Sequence, residues 1–274
     1  MTPLTGDAML ERLLVTGAAG GVANLLRPRL AGVSKKFRLT DIRHFGSTSD
    51  LDERMIGDLA DSTFVDQIVQ DCDGILHLGG ISTEQPFNEI IPANIVGVYN
   101  IYRAAAKYDR PRVIFASSNH VTGAYSTREI ITPNEPFLPD SFYGASKVFG
   151  EAIAKLFFVK EGIESAIVRI GSCFDRPSDL RMMSTWFSPD DFAALIKSCF
   201  KVETLDCPTI FGVSNNARSF WRNTEISHLD WHSEARAEDL LESMNEPNVS
   251  PEELAAGLMD YHGGTWLKRP LDTG

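Results

Sequence analysis

Short, unbroken apolar runs alternate with amphipathic stretches along most of this chain, and no other feature restricts its fold as tightly. The runs are Arg12–Gly17 (RLLVTG), Phe37–Ile42 (FRLTDI), Asp73–Gly80 (DGILHLGG), Pro111–Ser118 (PRVIFASS) and Glu164–Ser172 (ESAIVRIGS). Between them lie Ala60–Asp71, Phe87–Tyr108 and Tyr143–Glu161, each spaced like a helix with one apolar face. Strands that are apolar on both sides, separated by helices, belong to a parallel sheet covered on both faces, with right-handed crossovers. The expectation is an α/β fold, a doubly wound parallel sheet, over residues 11–172, after a short disordered lead at 1–10. Residues 173–274 are too few and too irregular for an independent domain, and read as a small C-terminal substrate cap. There Arg176–Ser188 reads as loop, Asp190–Phe200 as helix, Pro208–Val213 as strand, Trp221–Trp231 as irregular and Pro251–Tyr261 as a short helix. Pro28 falls inside the first helix and should kink or shorten it.

Charge removes several function classes. The 274 residues carry a net charge of −11 and contain no basic block, which argues against DNA or RNA as a partner. No apolar run is long enough to span a membrane, and the start, MTPLTGDAML, lacks the features of a secretory signal. Cys72, Cys173, Cys199 and Cys207 are scattered without a C-x-x-C pair, which points to reduced thiols in the cytoplasm and to no structural metal. His228 and His232 stand four apart, but no third ligand has metal spacing.

The turn after the first strand reads Thr16-Gly17-Ala18-Ala19-Gly20-Gly21-Val22-Ala23. Glycines there let the backbone turn tightly and approach a pyrophosphate, whose charge sits on the N-terminus of the next helix. Gly17, Gly20, Gly21 and Val22 are therefore candidate cofactor contacts in a Rossmann-like unit. Asp41 ends the second strand roughly 20 residues on, where a carboxylate binds a ribose diol and repels a 2′-phosphate. NAD is thus expected over NADP, with Arg43 the one nearby group able to oppose that. Asp58 could receive the adenine amino group with Leu59 against the ring; equally, Asp58 or Asp61 could cap a helix. Leu78, Gly79 and Gly80 end another strand and offer a further passage for cofactor backbone.

Tyr143 and Lys147, in FYGASK, are four residues apart and so share one helix face. Alone, such a pair is more often a ring packed on a lysine stem. Ser118 changes the balance: it ends a strand 25 residues earlier, on the edge where the glycine loop lies. A hydroxyl, a phenol and an ammonium there can move a proton, since a nearby positive charge lowers a phenol pKa from its ordinary value of about 10.

The glycine loop, the strand-end Asp41, Ser118 and the Tyr143/Lys147 pair, in this order and spacing, resemble the extended short-chain dehydrogenase/reductase family from about Glu11 to Ser172. The resemblance implies Tyr143 as base, Ser118 holding the substrate oxygen, Lys147 favouring the phenolate and bonding the nicotinamide ribose, and Asn94 supporting a proton relay. Local hydrogen bonding is the plainer account of Asn94. LGGIS, FASSNH, FYGASK, VRIGSC and RMMSTWFSPDDF are similar, more narrowly, to the uronate dehydrogenase group within that family. That likeness implies NAD-dependent oxidation of a hexuronate, glucuronate or galacturonate, at its anomeric carbon to an aldarolactone, by a homo-oligomer. It places Ser82, Ser118, Asn119, His120, Tyr143, Ser172 and Arg181 on the sugar, and Ile170 and Cys173 near the nicotinamide.

Arg181 suits a carboxylate because its guanidinium binds one in bidentate fashion; a solvated loop arginine is the plainer alternative. Cys173 has no evident base partner and reads as packing. Trp186, Trp221, Trp231 and Trp266 read as core or subunit contacts. The chain departs from the group in Ala23, where a third glycine is usual, in its longer lead and in Thr122-Gly123. Two rivals stay open: a nucleotide-sugar epimerase or dehydratase of the same family, and a non-catalytic NAD-binding sensor.

Overall fold

The computed structural model describes residues 9–46, 52–224, 226–243 and 259–271. Its centre is a seven-stranded, all-parallel sheet in the order β3-β2-β1-β4-β5-β6-β7. The strands are β1 Leu10–Thr16, β2 Ser34–Asp41, β3 Glu53–Ile56, β4 Gly74–His77, β5 Arg112–Ser118, β6 Ser165–Ile170 and β7 Thr209–Gly212. All seven residues of β5 are buried, as a central strand covered on both faces requires. The strand order reverses between β1 and β4, and at such a switch point a crevice opens beyond the carboxyl ends of the strands.

The helices are α1 Gly21–Leu26, α2 Ser62–Val69, α3 Phe87–Ile90, α4 Val98–Lys107, α5 Phe142–Glu161, α6 Met182–Thr185 and α7 Pro189–Lys201. One core lies on the α1 and α7 side of the sheet, built on Leu13, Val15, Val168, Phe192 and Ile196. The other lies on the α2, α4 and α5 side, with Leu14, Ile75, Phe115, Ile101 and Ala154. Two inward arginines close the helices' C-terminal ends, where carbonyls lack partners. Arg38 donates to the carbonyls of Ile68 and Gln70 at the end of α2, and Arg112 to those of Cys199 and Val202 at the end of α7. No described helix is long and apolar enough to cross a membrane.

Several local expectations shift. Pro28 does shorten the first helix: α1 stops at Leu26 and a 3-10 turn, Arg27–Arg29, follows. The strand β3, ERMI, was not foreseen, because it is an edge strand that alternates half-buried and exposed residues rather than forming an apolar run. The single helix expected over Phe87–Tyr108 is broken by a π-helical segment, Ile91–Gly97, with Pro92 at its start. The loop expected over Arg176–Ser188 contains the single-turn α6. After Ser172, β7 extends the sheet and α7 packs beside α1, so part of that region belongs to the main layers. The short helix expected at Pro251–Tyr261 lies outside the described residues up to 258; Tyr261 itself bridges to Ser126. Residues 1–8 of the expected lead are likewise outside them.

Candidate active site

Two cavities open along the carboxyl edge of the sheet, of about 640 Å³ and about 370 Å³, and Val22, Leu78, Gly80, Ile81 and Ser82 line both. The larger is walled by the loop after β1, with Gly17, Gly20, Gly21 and Val22. Asp41 and Arg43 border it at the end of β2, Asp58 and Leu59 before α2, and Leu78, Gly79 and Gly80 after β4. All of these residues line the larger cavity, while Ile170 and Cys173 line the smaller.

Gly17 is required by both space and conformation. Gly17 has φ +68°, and a Cβ on it would stand 2.8 Å from the Gly79 backbone. Thr16 Oγ1 fixes the same meeting of loops by accepting from Gly79 N at 2.9 Å and bonding His77 Nδ1 at 2.7 Å. Burial pushes the His77 pKa down to about 3, so that ring is neutral. Asp41 accepts from Ala19 N at 3.0 Å with one oxygen and from Arg43 N at 2.9 Å with the other. Oδ1 also takes Arg43 Nε at 3.5 Å, so Oδ2 keeps the freer lone pair for a ribose hydroxyl at the cavity wall. Asp58 accepts from Ala60 N, while Asp61 caps α2 through Thr63 N and Phe64 N, so the capping role falls to Asp61 and Asp58 faces the cavity. A glycine-lined floor beside the Asp41 carboxylate fits a dinucleotide.

The smaller cavity holds Ser118, Asn119, His120, Tyr143, Lys147, Ser172 and Arg181, with Ser82 at the wall it shares with the larger. Ser118 closes β5, and α5 carries Tyr143 and Lys147 one turn apart. Burial pushes the Tyr143 pKa up to about 12, the nearby Ser118 hydroxyl lowers it and the charge of Asp140 raises it. Burial brings the Lys147 pKa down to about 8, and its ammonium donates to the Ala116 carbonyl at 2.8 Å.

His120 Nδ1 is 2.8 Å from Asp140 Oδ2, and Ser141 Oγ donates to Asp140 Oδ1. A carboxylate only accepts, so Nδ1 carries the proton and Nε2 is an acceptor. Burial outweighs Asp140 and holds the His120 pKa below its ordinary value. Arg181 donates through Nε and Nη2 to the His262 carbonyl, at 3.0 and 2.6 Å. The Asn119 amide, oriented to suit both neighbours, accepts from Arg181 Nη2 at 3.0 Å and donates to the Ile170 carbonyl. Ser172 Oγ bonds Thr185 Oγ1 at 2.8 Å. Burial raises the Cys173 pKa to about 12, which keeps that thiol protonated and fits a packing role.

Asn94 makes local hydrogen bonds beside the smaller cavity. Its amide accepts from Ile81 N and donates to the Ile81 carbonyl and to Ser146 Oγ, at 2.8, 3.0 and 2.9 Å. These bonds hold the β4 loop against α5. Trp266 departs from expectation: it lines the smaller cavity and stacks on His120 with centroids 3.8 Å apart. Asp140, Glu84 and Gly263 were not foreseen. Asp140 sits within two residues of the Tyr143 motif, but its partner is known only once the chain is folded.

The model of the NAD dependent epimerase/dehydratase family matches residues 13–184. A uronate dehydrogenase of Agrobacterium fabrum is 43% identical over 262 residues, 96% of this chain and 98% of that protein. A solved uronate dehydrogenase mutant from Agrobacterium tumefaciens, complexed with NAD, superposes with a TM-score of 0.92 at 42% identity, covering 97% of this chain and all of that one (100%). A solved glucuronic acid dehydrogenase from Chromohalobacter salexigens does so with a TM-score of 0.90 at 44% identity, covering 96% and 98%. With the glycine cradle, Asp41 and the Ser118–Tyr143–Lys147 cluster already in position, these likenesses lead to one conclusion: the chain belongs to the NAD dependent epimerase/dehydratase family, in the group of the uronate dehydrogenases.

Proposed function

We propose that this protein is an NAD-dependent dehydrogenase that oxidises a hexuronate at its anomeric carbon to the aldarolactone. The supporting observation is the adjacency of the two cavities: a dinucleotide cradle shares a wall with a small polar pocket that holds a phenol, an ammonium and a guanidinium. Bound along the Gly17–Val22 loop, Asp41 and Gly79–Gly80, NAD supplies the acceptor for the hydride that leaves the anomeric carbon.

The chain's own groups handle the proton and the orientation. The anomeric hydroxyl gives its proton to the Tyr143 oxygen, assisted by the neighbouring Ser118 hydroxyl. The Lys147 ammonium, 5.7 Å from the centre of the Tyr143 ring, favours the phenolate. His120 Nε2 accepts from a sugar hydroxyl, and Ser82, Asn119 and Ser172 supply further polar contacts. Arg181 directs to the substrate carboxylate its Nη1, the nitrogen not engaged by His262 or Asn119, which also reaches Ser172 Oγ at 3.5 Å. Loss of a hydride and a proton converts the cyclic hemiacetal to the lactone without a covalent intermediate, consistent with a Cys173 thiol that stays protonated.

The size of the smaller cavity, about 370 Å³, favours a free monosaccharide over a nucleotide-linked sugar, which an epimerase or dehydratase of this fold would take. The reading includes a cytoplasmic location, which four unpaired cysteines support, and a homo-oligomer, which the exposed Leu156 and Val159 on α5 support. Sedimentation measures the latter. The activity is tested by following NADH absorbance with glucuronate, galacturonate, glucose and galactose. Turnover on the uronates and far less on the neutral sugars is expected, with Arg181→Ala raising the uronate KM by about 10- to 100-fold, as for a charged hydrogen bond worth roughly 1.5–3 kcal/mol. Equal activity on neutral sugars removes the assignment of Arg181.

A further inference from the structure

Glu84 lies 58 residues before α5 in sequence, yet its carboxylate lies against the start of that helix. Oε1 accepts from Phe142 N at 3.0 Å and Oε2 from Tyr143 N at 2.8 Å. The next free amide, Gly144 N, is taken by the N-cap Ser141 Oγ at 3.0 Å. The first turn of a helix leaves N–H groups without intrahelical partners, and a local cap ordinarily satisfies one or two of them. Here the two at the tyrosine are bound by a residue from another loop, and a negative charge stands at the positive helix end.

The origin of that loop gives the contact its meaning. Glu84 follows Gly80, Ile81 and Ser82, which border both cavities. The loop is tied to α5 a second time, where Asn94 holds both polar groups of the Ile81 backbone and donates to Ser146 Oγ. Helix and loop are thus joined at two points, one of them the backbone of Tyr143. The charge of Glu84 also reaches His120, raising its pKa against the effect of burial.

We infer that Glu84 is a positioning residue for the reaction: its carboxylate registers the start of α5, and with it the Tyr143 hydroxyl, against the loop that lies along the cofactor. The inference rests on Tyr143 acting as base. Shifting a reacting group by about 1 Å can cost on the order of 100-fold in rate, so a loosened first turn should be felt in turnover. Glu84→Gln keeps the size of the side chain but presents an NH2 group to one of the two amides. Glu84→Ala removes both acceptors.

The test measures kcat and uronate KM for both variants, normalised to the number of NAD sites found by titrating each preparation. The expected result is full NAD stoichiometry, a Kd for NAD within about twofold, an unchanged uronate KM and kcat per NAD site lowered about tenfold, a split that places the loss in the chemical step. Turnover per site within twofold of the parent in both variants overturns the inference. So does a loss of rate that merely tracks lost NAD sites, since that is a folding defect. Tyr143→Phe, assayed alongside, separates the two ideas: if it keeps full activity the assignment of the base fails, whereas an inactive Tyr143→Phe beside fully active Glu84 variants sinks only the positioning role.

Discussion

The Lys147 ammonium sits 5.7 Å from the centre of the Tyr143 ring and is held there by the carbonyl of Ala116. Both groups are more than nine-tenths buried, and burial acts on them in opposite directions, raising the phenol to about 12 and lowering the amine to about 8. Each side chain alone resists its charged form; placed together, the positive charge of one favours the negative charge of the other.

Turnover in the oxidative direction should therefore rise with pH, because the acceptor must lose its own proton to act as base. Lys147→Met removes a positive charge beside the phenol, which makes the phenolate harder to form. The rising limb of the kcat profile is expected to move to higher pH, with a rate loss of about 100-fold, within the span typical of a general acid–base group. A profile measured from pH 6 to pH 10 in both proteins checks the direction.

Asp140→Asn acts with the opposite sign. The negative charge of Asp140 raises the Tyr143 pKa, so its removal should bring the rising limb to lower pH. The same change frees His120 from the partner that fixes its tautomer, and uronate KM should increase about tenfold, the equivalent of one neutral hydrogen bond. NAD affinity, read by fluorescence titration, should hold steady. A limb displaced toward acid together with a raised KM is the expected pair of results.

Asp41→Ala should weaken NAD and relax the discrimination against NADP. The carboxylate is nearly buried and anchored by two amides, whereas the Arg43 side chain beside it is 66% exposed. Without the acid, the guanidinium is available to a 2′-phosphate. The ratio of kcat/KM for the two cofactors is expected to move toward NADP by about 10-fold or more, on the scale of a charged hydrogen bond.

Behind the smaller cavity, Arg169 and Glu151 form a fully buried pair with two contacts of 2.9 Å, and Ser117 Oγ donates to the same carboxylate. Glu151 lies one turn beyond Lys147 on α5, so the pair ties that helix to β6 and β5. Glu151→Leu leaves a buried guanidinium without its anion and should cost about 3–5 kcal/mol in urea unfolding. Adding Arg169→Met should recover much of that loss, because two apolar groups replace a pair that was expensive to desolvate.

The cofactor half of the site was legible because its elements are local. A glycine turn after a strand, an acid at the next strand's end and a tyrosine one helical turn from a lysine are all short-range patterns, and each occupies the position its spacing implied. The strand β3 escaped because half of an edge strand faces water and its apolar pattern thins out. Asp140, Glu84 and Trp266 escaped for another reason. Their significance lies in partners brought by folding: the Asp140–His120 contact spans 20 residues, and Glu84 meets an amide 59 away. Arg181 was foreseen as a substrate contact, but its two bonds to the His262 carbonyl belong to the tertiary structure alone.

Asp140 is hemmed in by two bare stretches of main chain. A methyl group on Gly123 or on Gly263 would collide with its carboxylate. The adaptability of this pocket is therefore uneven. Retuning it toward other sugars is open to change at the rim, at Ser82, Phe174 or Trp266, whereas the backing of the His120 ring tolerates no added atom. Diversity in sugar preference, whether arising by selection or by design, has to enter from the mouth of the cleft and leave its rear wall untouched.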